Sequence, residues 1–397
     1  MLGMLLSVFA FGIDMYIPAF DAIGHALSAA PGDMQLSMAA YFVALALGQL
    51  ACGPLSDAIG RRLPILAGLA LFVGASLMAA ASSSVDMLIS ARLLQGLGAS
   101  AAAVLPLAMI RDEYSGLIAT RLMTISMLSL SASPLLAPAF GGLIVQYTFW
   151  QVIFLTLAGI GLVAMLVTLT LLPETLRRED RIRQGIVDAL RTYGGLLRDP
   201  RFLIPILLAG LAQAMLLDFI AGSPYVIITL HGLTPLAFSG VFALHAVASI
   251  GSSQFCARLM HVFGVRRLLG AASMLAFISA GLLAALVAGG VTTLWVFVPL
   301  TLLTFCGLGL IMTPAYMTAV EAFDDVAGSA AALGSSVQLS VSSIATVLTA
   351  VLANGTAVPL VAMLAVLGGL TVVVWLLFMR LRMPASGPIL SSAEGLL

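Results

Sequence analysis

An all-α membrane protein with twelve crossings in two six-helix halves is the fold class this sequence predicts. Three observations carry it. Hydrophobic residues make up 61% of the 397 and charged residues 9%, with a mean hydropathy of +1.15. A globule in water cannot hide so much apolar surface. Uninterrupted apolar runs fall at about 2–24, 35–53, 64–82, 85–110, 120–145, 150–172, 202–228, 236–258, 267–288, 293–318, 328–352 and 356–379, each near the roughly 20 residues a helix needs to cross hydrocarbon. All 17 basic residues are arginines, and the sixteen outside the apolar runs lie on one alternating set of connections. They are Arg61 and Arg62, Arg111 and Arg121, seven from Arg177 to Arg201, Arg258, Arg266 and Arg267, and Arg380 and Arg382; the opposite connections have none. By the positive-inside rule the arginine-bearing loops and both termini are expected in the cytoplasm, and a wrong span count would scramble that pattern.

The same composition excludes several function classes. Cys52, Cys256 and Cys306 lie in or at the ends of spans and imply no extracellular disulfide framework. The first residues lack the basic region and cleavage site of a signal peptide. No metal-ligand cluster, His-Glu-x-x-His, paired-Asp motif or Gly-Lys-Ser phosphate loop occurs, so an enzyme or an ATP-driven pump is not expected, and no cofactor, metal or nucleic-acid partner is implied.

Span 1 carries Asp14 in Phe11-Gly-Ile-Asp-Met-Tyr-Ile-Pro18. A carboxylate more than two turns from either end of an apolar helix costs about 2.5–3.5 kcal/mol on insertion scales, so Asp14 must face protein or a wet cavity. Two readings are open: a reversible proton carrier, or a fixed hydrogen-bonding group that locks helices together. Pro18, one turn on, weakens the helix there.

Between spans 2 and 3, Gly53-Pro-Leu-Ser-Asp57-Ala-Ile-Gly60-Arg61-Arg62 sets a carboxylate and two guanidinium groups between apolar runs, which reads as a ten-residue interfacial hairpin. This stretch resembles the loop signature between helices 2 and 3 of the major facilitator superfamily. Ala58 departs from it, since a basic residue often follows the aspartate. In span 4, Arg92-Leu-Leu-Gln95-Gly96-Leu-Gly98 holds the one arginine inside an apolar run; it needs a carboxylate or several carbonyls as partners. The motif resembles the superfamily's span 4 signature, where the arginine is linked to proton transfer; a static buried ion pair is the other reading. Gly96, Gly98 and Ala99 form a face for close helix contact. Arg111-Asp112, which follows, reads as an anchoring pair.

Span 5 contains Pro134-Leu-Leu-Ala-Pro138-Ala-Phe-Gly141-Gly142. Its prolines free carbonyls and bend the helix, and its glycines permit tight packing. The pattern resembles the antiporter motif of the superfamily, with Ala137 in place of the usual glycine. Span 6 ends in Leu172-Pro-Glu-Thr175, another superfamily landmark. The linker that follows has Ile182, Ile186, Val187, Leu190 and Leu197 near helical spacing and is expected to lie partly on the membrane surface.

A lag of 204 aligns Asp14 with Asp218 and Gly60-Arg-Arg62 with Gly264-Val-Arg-Arg267, which points to parallel repeats over 1–172 and 202–380, a linker over 173–201 and a tail over 381–397. Asp218 in span 7 is open to three roles: a second protonation site, a countercharge for cationic substrates, or a partner for Arg92. His245 in span 8 titrates in a useful range, although such residues more often serve only as hydrogen-bonding groups. Glu321, Asp324 and Asp325 follow span 10 and are candidate countercharges for the loop arginines. Span 11 opens Ala327-Gly-Ser-Ala and continues to Gln338.

Asp14-Met-Tyr-x-Pro18, the Ser-Pro at Ser223 and Pro224, and the span 11 stretch resemble the Bcr/CflA branch of drug:proton antiporters. That resemblance implies proton-driven efflux of small amphipathic drugs or antibiotics by alternating access, from a monomer in a bacterial cytoplasmic membrane. Span 1 begins almost at Met1, where such proteins usually carry a short tail, so an upstream start or a missing tail is expected. Asp14, Arg92 and Asp218 are the expected coupling groups, and Phe11, Tyr16, Tyr41, Gln95, Phe219 and Tyr225 the expected cavity. A proton-coupled transporter of a metabolite would share the same topology; the span 5 pattern argues against an importer.

Overall fold

The structure, a computed structural model, describes residues 1–114, 116–176, 186–323 and 326–381. Twelve helices among them are long and apolar enough to cross a bilayer, and their ends fall within a few residues of the apolar runs. The linker over 177–185, the tail from 382 onward, Asp324 and Asp325 lie outside the described residues.

Span 1 is broken. α1 (Leu2–Asp14) stops at the aspartate, a 3₁₀ turn over Ile17–Ala19 follows, and α2 (Phe20–Ala26) completes the crossing. Pro18 has no amide hydrogen to return to the Asp14 carbonyl, so the α-helix cannot continue through it. Spans 2 to 6 are α3 (Asp33–Ile59), α4 (Arg62–Ala80), α5 (Val85–Glu113), α6 (Gly116–Tyr147) and α7 (Gln151–Leu171). In the linker, α8 (Ile186–Arg198) sets Tyr193 and Leu196 against Phe202 and Leu333, while Leu190 and Leu197 stay exposed. Span 7 is α9 (Pro200–Pro224), prolonged by a π-helical segment over Tyr225–Leu230. Next come α10 (Pro235–Gln254), the short α11 (Cys256–Phe263), α12 (Val265–Ala288), α13 (Leu294–Glu321), α14 (Ala327–Val351) and α15 (Val358–Arg380).

One expectation needs correction. Gly53 to Arg62 is not a ten-residue hairpin: α3 runs on through Pro54 to Ile59, and the turn is only Gly60 and Arg61. The helix continues because Leu55 and Ile59 still present an apolar face, and Asp57 meets Arg61 one turn on. It ends at Gly60, whose φ of 104° suits glycine alone. Gly264, at the repeat lag, ends α11 the same way with φ 76°, and each glycine amide donates to the carbonyl four residues back, Ser56 and Met260.

In the first six spans α5 packs on α3 and α4, α4 on α7, and α1 on α5 and α6. In the last six α9 packs on α13, α14 and α15, and α12 on α13 and α15. The two sets meet chiefly along α3 with α14 and α6 with α10. Glycines set the close approaches. A Cβ at Gly96 would strike the Tyr41 backbone, one at Gly98 the α4 backbone at Phe72, and one at Gly141 the Met15 carbonyl. Outward faces are apolar, with Leu47, Leu117, Leu128 and Leu171 exposed, as hydrocarbon requires.

Gly96→Val is expected to cost about 2–3 kcal/mol through overpacking, read as a lower unfolding temperature in detergent. Gly74→Ala, where a Cβ meets nothing within 4 Å, should be neutral or stabilising by about 0.5–1 kcal/mol.

Candidate functional site

Arg92 organises the interior of the first half. It sits seven residues inside α5, whose start is capped by Ser84 accepting from the Met87 amide, or about 10 Å below that end. Its guanidinium lies between the rings of Tyr16 and Tyr41, 4.3 Å from each centroid. Nη1 donates to the Gly12 carbonyl at 2.9 Å and to Gln95 Oε1, and Nη2 contacts Met38 Sδ at 3.6 Å. None of these partners is a carboxylate. The Gly12 carbonyl is available because the Tyr16 amide, in the break of span 1, makes no backbone bond back to it. Gln95 passes the network to Ser76 through Nε2 at 2.7 Å; the Tyr41 hydroxyl donates to the Phe9 carbonyl at 3.0 Å, and Tyr16 pairs with Ser37.

Asp14, at the broken end of α1, is 5% exposed. The Ser133 hydroxyl of α6 acts on it without reaching hydrogen-bond geometry. The Tyr41 ring covers Arg92, and Asp14 lies near enough to it for their charges to interact. The antiporter-like segment closes around the same place. Gly141 lies on the Met15 carbonyl, Gly142 faces Ser239 and Pro235 of α10, and the Pro138 carbonyl accepts from the Ser239 hydroxyl at 2.7 Å across the two halves.

Asp218, in the second half, is far from pairing with Arg92. It is fully buried, neither carboxylate oxygen is bonded, and its polar neighbour is Thr349 of α14. Phe219 beside it stacks on His245 at 4.7 Å and meets Phe305 and Phe297. His245 is held at both nitrogens, Nδ1 by the Val241 carbonyl and Nε2 by Thr301 Oγ1, each at 2.8 Å.

A cavity of about 440 Å³ opens between the halves at the end that carries no arginine. Phe20, Met34, Gln35, Tyr225, Thr349 and Leu360 are among its walls, and Asp21 on its rim accepts from Thr229 at 2.7 Å across the halves. Of the expected cavity residues Tyr225 lines it. Tyr16, Tyr41 and Gln95 are instead wholly buried around Arg92, Phe219 lies in an aromatic cluster, and Phe11 is half-buried near the α1 break. Gln35, Thr349 and Ser239 carried no motif; they become visible only when the halves are brought together.

At the arginine-bearing end, Arg61 ties four spans. Nε donates to Asp112 Oδ2 at 2.9 Å and Nη1 to Asp57 at 2.5 Å and Ser56 at 2.6 Å. Burial alone would pull its guanidinium down; Asp112 and Asp57 more than offset this and hold it above the ordinary value. Glu174, from the Pro-Glu-Thr end of span 6, accepts from the Arg61 and Arg62 amides at 2.8 and 3.2 Å, a carboxylate at the positive start of α4. Asp112 therefore pairs with Arg61, where an anchoring pair with Arg111 was expected.

The matching family model, described as "Major Facilitator Superfamily", spans residues 2–346. This chain belongs to that superfamily. It is 34% identical to an uncharacterized MFS-type transporter, YdgK, of Bacillus subtilis (strain 168), over 93% of each chain. Identity to the bicyclomycin resistance protein homolog of Haemophilus influenzae is 29%, over 90% of each. The crystal structure of a D-xylose-proton symporter overlays with a TM-score of 0.71 at 15% identity, covering 96% of this chain and 97% of that one, which shows the shared fold. The superfamily's signatures now have geometry: the Arg92 motif is a guanidinium clasped by rings and a freed carbonyl, and the Gly60-Arg-Arg62 turn is a capped, ion-paired junction.

Arg61→Ala should destabilise the detergent-solubilised protein by about 2–4 kcal/mol, because it strands Asp112 and Asp57. A double-mutant cycle with Asp112→Asn should return a coupling of about 1–2 kcal/mol in thermal unfolding.

Proposed function

We propose that the protein exports small amphipathic antibiotics across a bacterial cytoplasmic membrane in exchange for protons. The observation that carries this reading is the placement of Asp14: a nearly buried carboxylate at a break in span 1, beside the Met15 carbonyl on which Gly141 packs and near Tyr41, whose ring covers Arg92. An ionised carboxylate there has no counterion bonded to it, so charge and conformation are coupled. Gain or loss of the proton changes which packing of α1 against α6 and α5 is favoured. A substrate that prefers the opposite packing then exchanges with it, since a ligand shifts an equilibrium only by its differential affinity. The bicyclomycin relative's name supports an antibiotic substrate, and the Pro138 to Gly142 segment supports antiport.

In this reading residues 1–172 and 202–380 rock against each other about the α3/α14 and α6/α10 seams, joined by the 173–201 linker. The arginine loops and both termini face the cytoplasm, and one copy of the chain suffices. Asp14 and Arg92 are the first-half coupling groups and Asp218 a second-half one. Tyr225 contacts substrate from the arginine-free cavity, while Phe11, Tyr16, Tyr41, Gln95 and Phe219 come within its reach as the halves rearrange.

Asp14→Asn should abolish proton-coupled export, with resistance falling to that of cells lacking the protein while membrane insertion is retained. Arg92→Ala should fail likewise. Full resistance with Asp14→Asn refutes the reading, and inward substrate flux against an outward proton gradient in vesicles would reverse its direction. An antibiotic panel in a pump-deficient strain identifies the substrate.

A further inference from the structure

The cavity between the halves is floored by polar groups without partners. Gln35 Oε1 and Thr349 Oγ1 are buried and unbonded, and below them both oxygens of Asp218 are too. Thr346, on the same helix, bonds its hydroxyl to the carbonyl four residues back at 2.9 Å. Thr349 makes no such bond, and its unbonded hydroxyl lies near the unbonded carboxylate of Asp218. Gly222, one turn above Asp218 on the same face of α9, lies where a Cβ would meet Gln35 Nε2 at 3.3 Å. Gln35, Thr349 and Asp218 thus form a column that descends from the cavity into the second half. A buried oxygen without a partner is costly, and a water or a proton entering from the cavity relieves that cost.

We propose that this column is a proton port through which Asp218 exchanges protons with the arginine-free face. The proposal rests on the reading of the protein as a proton-driven transporter and adds the port, its side and its relay groups. A hydronium held in the cavity by Gln35 Oε1 gives a proton to Thr349 Oγ1 as the hydroxyl's own proton passes to an Asp218 oxygen. One O–H bond forms on the carboxylate and one breaks on hydronium, leaving water and an unchanged hydroxyl. Among the described residues, no charged group of α3, α8, α13, α14, α15 or the 3₁₀ turn over Ile17–Ala19, the elements packed on α9, bonds to Asp218. Tyr316 of α13 bonds the Ala331 carbonyl, Tyr193 of α8 packs on Phe202, and Tyr41 and Asp57 of α3 face Arg92 and Arg61.

The test uses the full chain in vesicles sorted for orientation, without substrate, and follows the infrared C=O stretch of protonated carboxyl groups as pH is stepped on one side. Asp218→Asn should remove one titrating component, distinct from the one lost in Asp14→Asn. Thr349→Val should keep that component but follow a step at the arginine-free face roughly tenfold more slowly. It should respond normally to a step at the other face, and Thr349→Ser should restore the rate. An Asp218→Asn spectrum identical to wild type at every pH overturns the proposal, as does a Thr349→Val protein that follows the outer step at the wild-type rate. If Asp218→Asn does not fold, the Thr349 pair decides. Because no substrate is present, a failure of antibiotic export in cells counts against the transport reading and leaves this outcome independent.

Discussion

The interior of this protein is shaped by one constraint: a guanidinium sits where no bulk water can reach it. Arg92 meets it with two aromatic faces, a glutamine oxygen and a main-chain carbonyl, without a carboxylate. Each partner has a structural prerequisite. Pro18 breaks span 1 and the broken turn frees the Gly12 carbonyl; Gly96 lets α5 come close enough to α3 for Tyr41 to cover the charge. Cation–π contacts strengthen when desolvated, from about 0.5–1 kcal/mol at exposed sites to about 2 kcal/mol or more, so rings that would contribute little in water hold a cation here. The break that serves Arg92 also leaves Asp14 at a helix end, where a small change in packing alters its surroundings.

Much of the fold was legible because apolar length and arginine placement are one-dimensional signals. All twelve spans follow from them, and the repeat lag of 204 aligned Gly60 with Gly264, the glycines that end α3 and α11. The end of α3 was misjudged because Pro54, Asp57 and the flanking glycines look like turn chemistry, whereas membrane helices tolerate proline and pair charges along one face. The site was less legible. Whether Asp112 meets Arg61 or Arg111, and whether Arg92 meets a carboxylate or a ring, depends on helix rotation and spacing, which periodicity does not encode. The same holds for Gln35 and Thr349, which are distant in sequence and share a cavity only through the α3/α14 seam.

That seam and its counterpart at α6/α10 include hydrogen bonds from serine hydroxyls to main-chain carbonyls. Ser336 donates to the Ala46 carbonyl at 3.2 Å, and Ser239 to Pro138. Bonds of this kind contribute about 1 kcal/mol each and can be exchanged without exposing a charge. Large apolar side chains concentrate within each half, around Phe72 and Phe154 in the first and Phe219 and Phe305 in the second.

The two repeats differ at their arginine-bearing ends. In the first, Arg61, Asp57, Asp112 and Glu174 lash four helix ends together. In the second, Arg266 reaches the Leu381 carbonyl at 2.6 Å and the face of Phe378, Trp375 donates to the Arg266 carbonyl at 2.9 Å, and Arg201 pairs with Asp199 at 2.7 Å. The first bundle ties its helix ends through carboxylates, whereas Arg266 and Trp375 tie α12 to the end of α15 through carbonyls and aromatic rings.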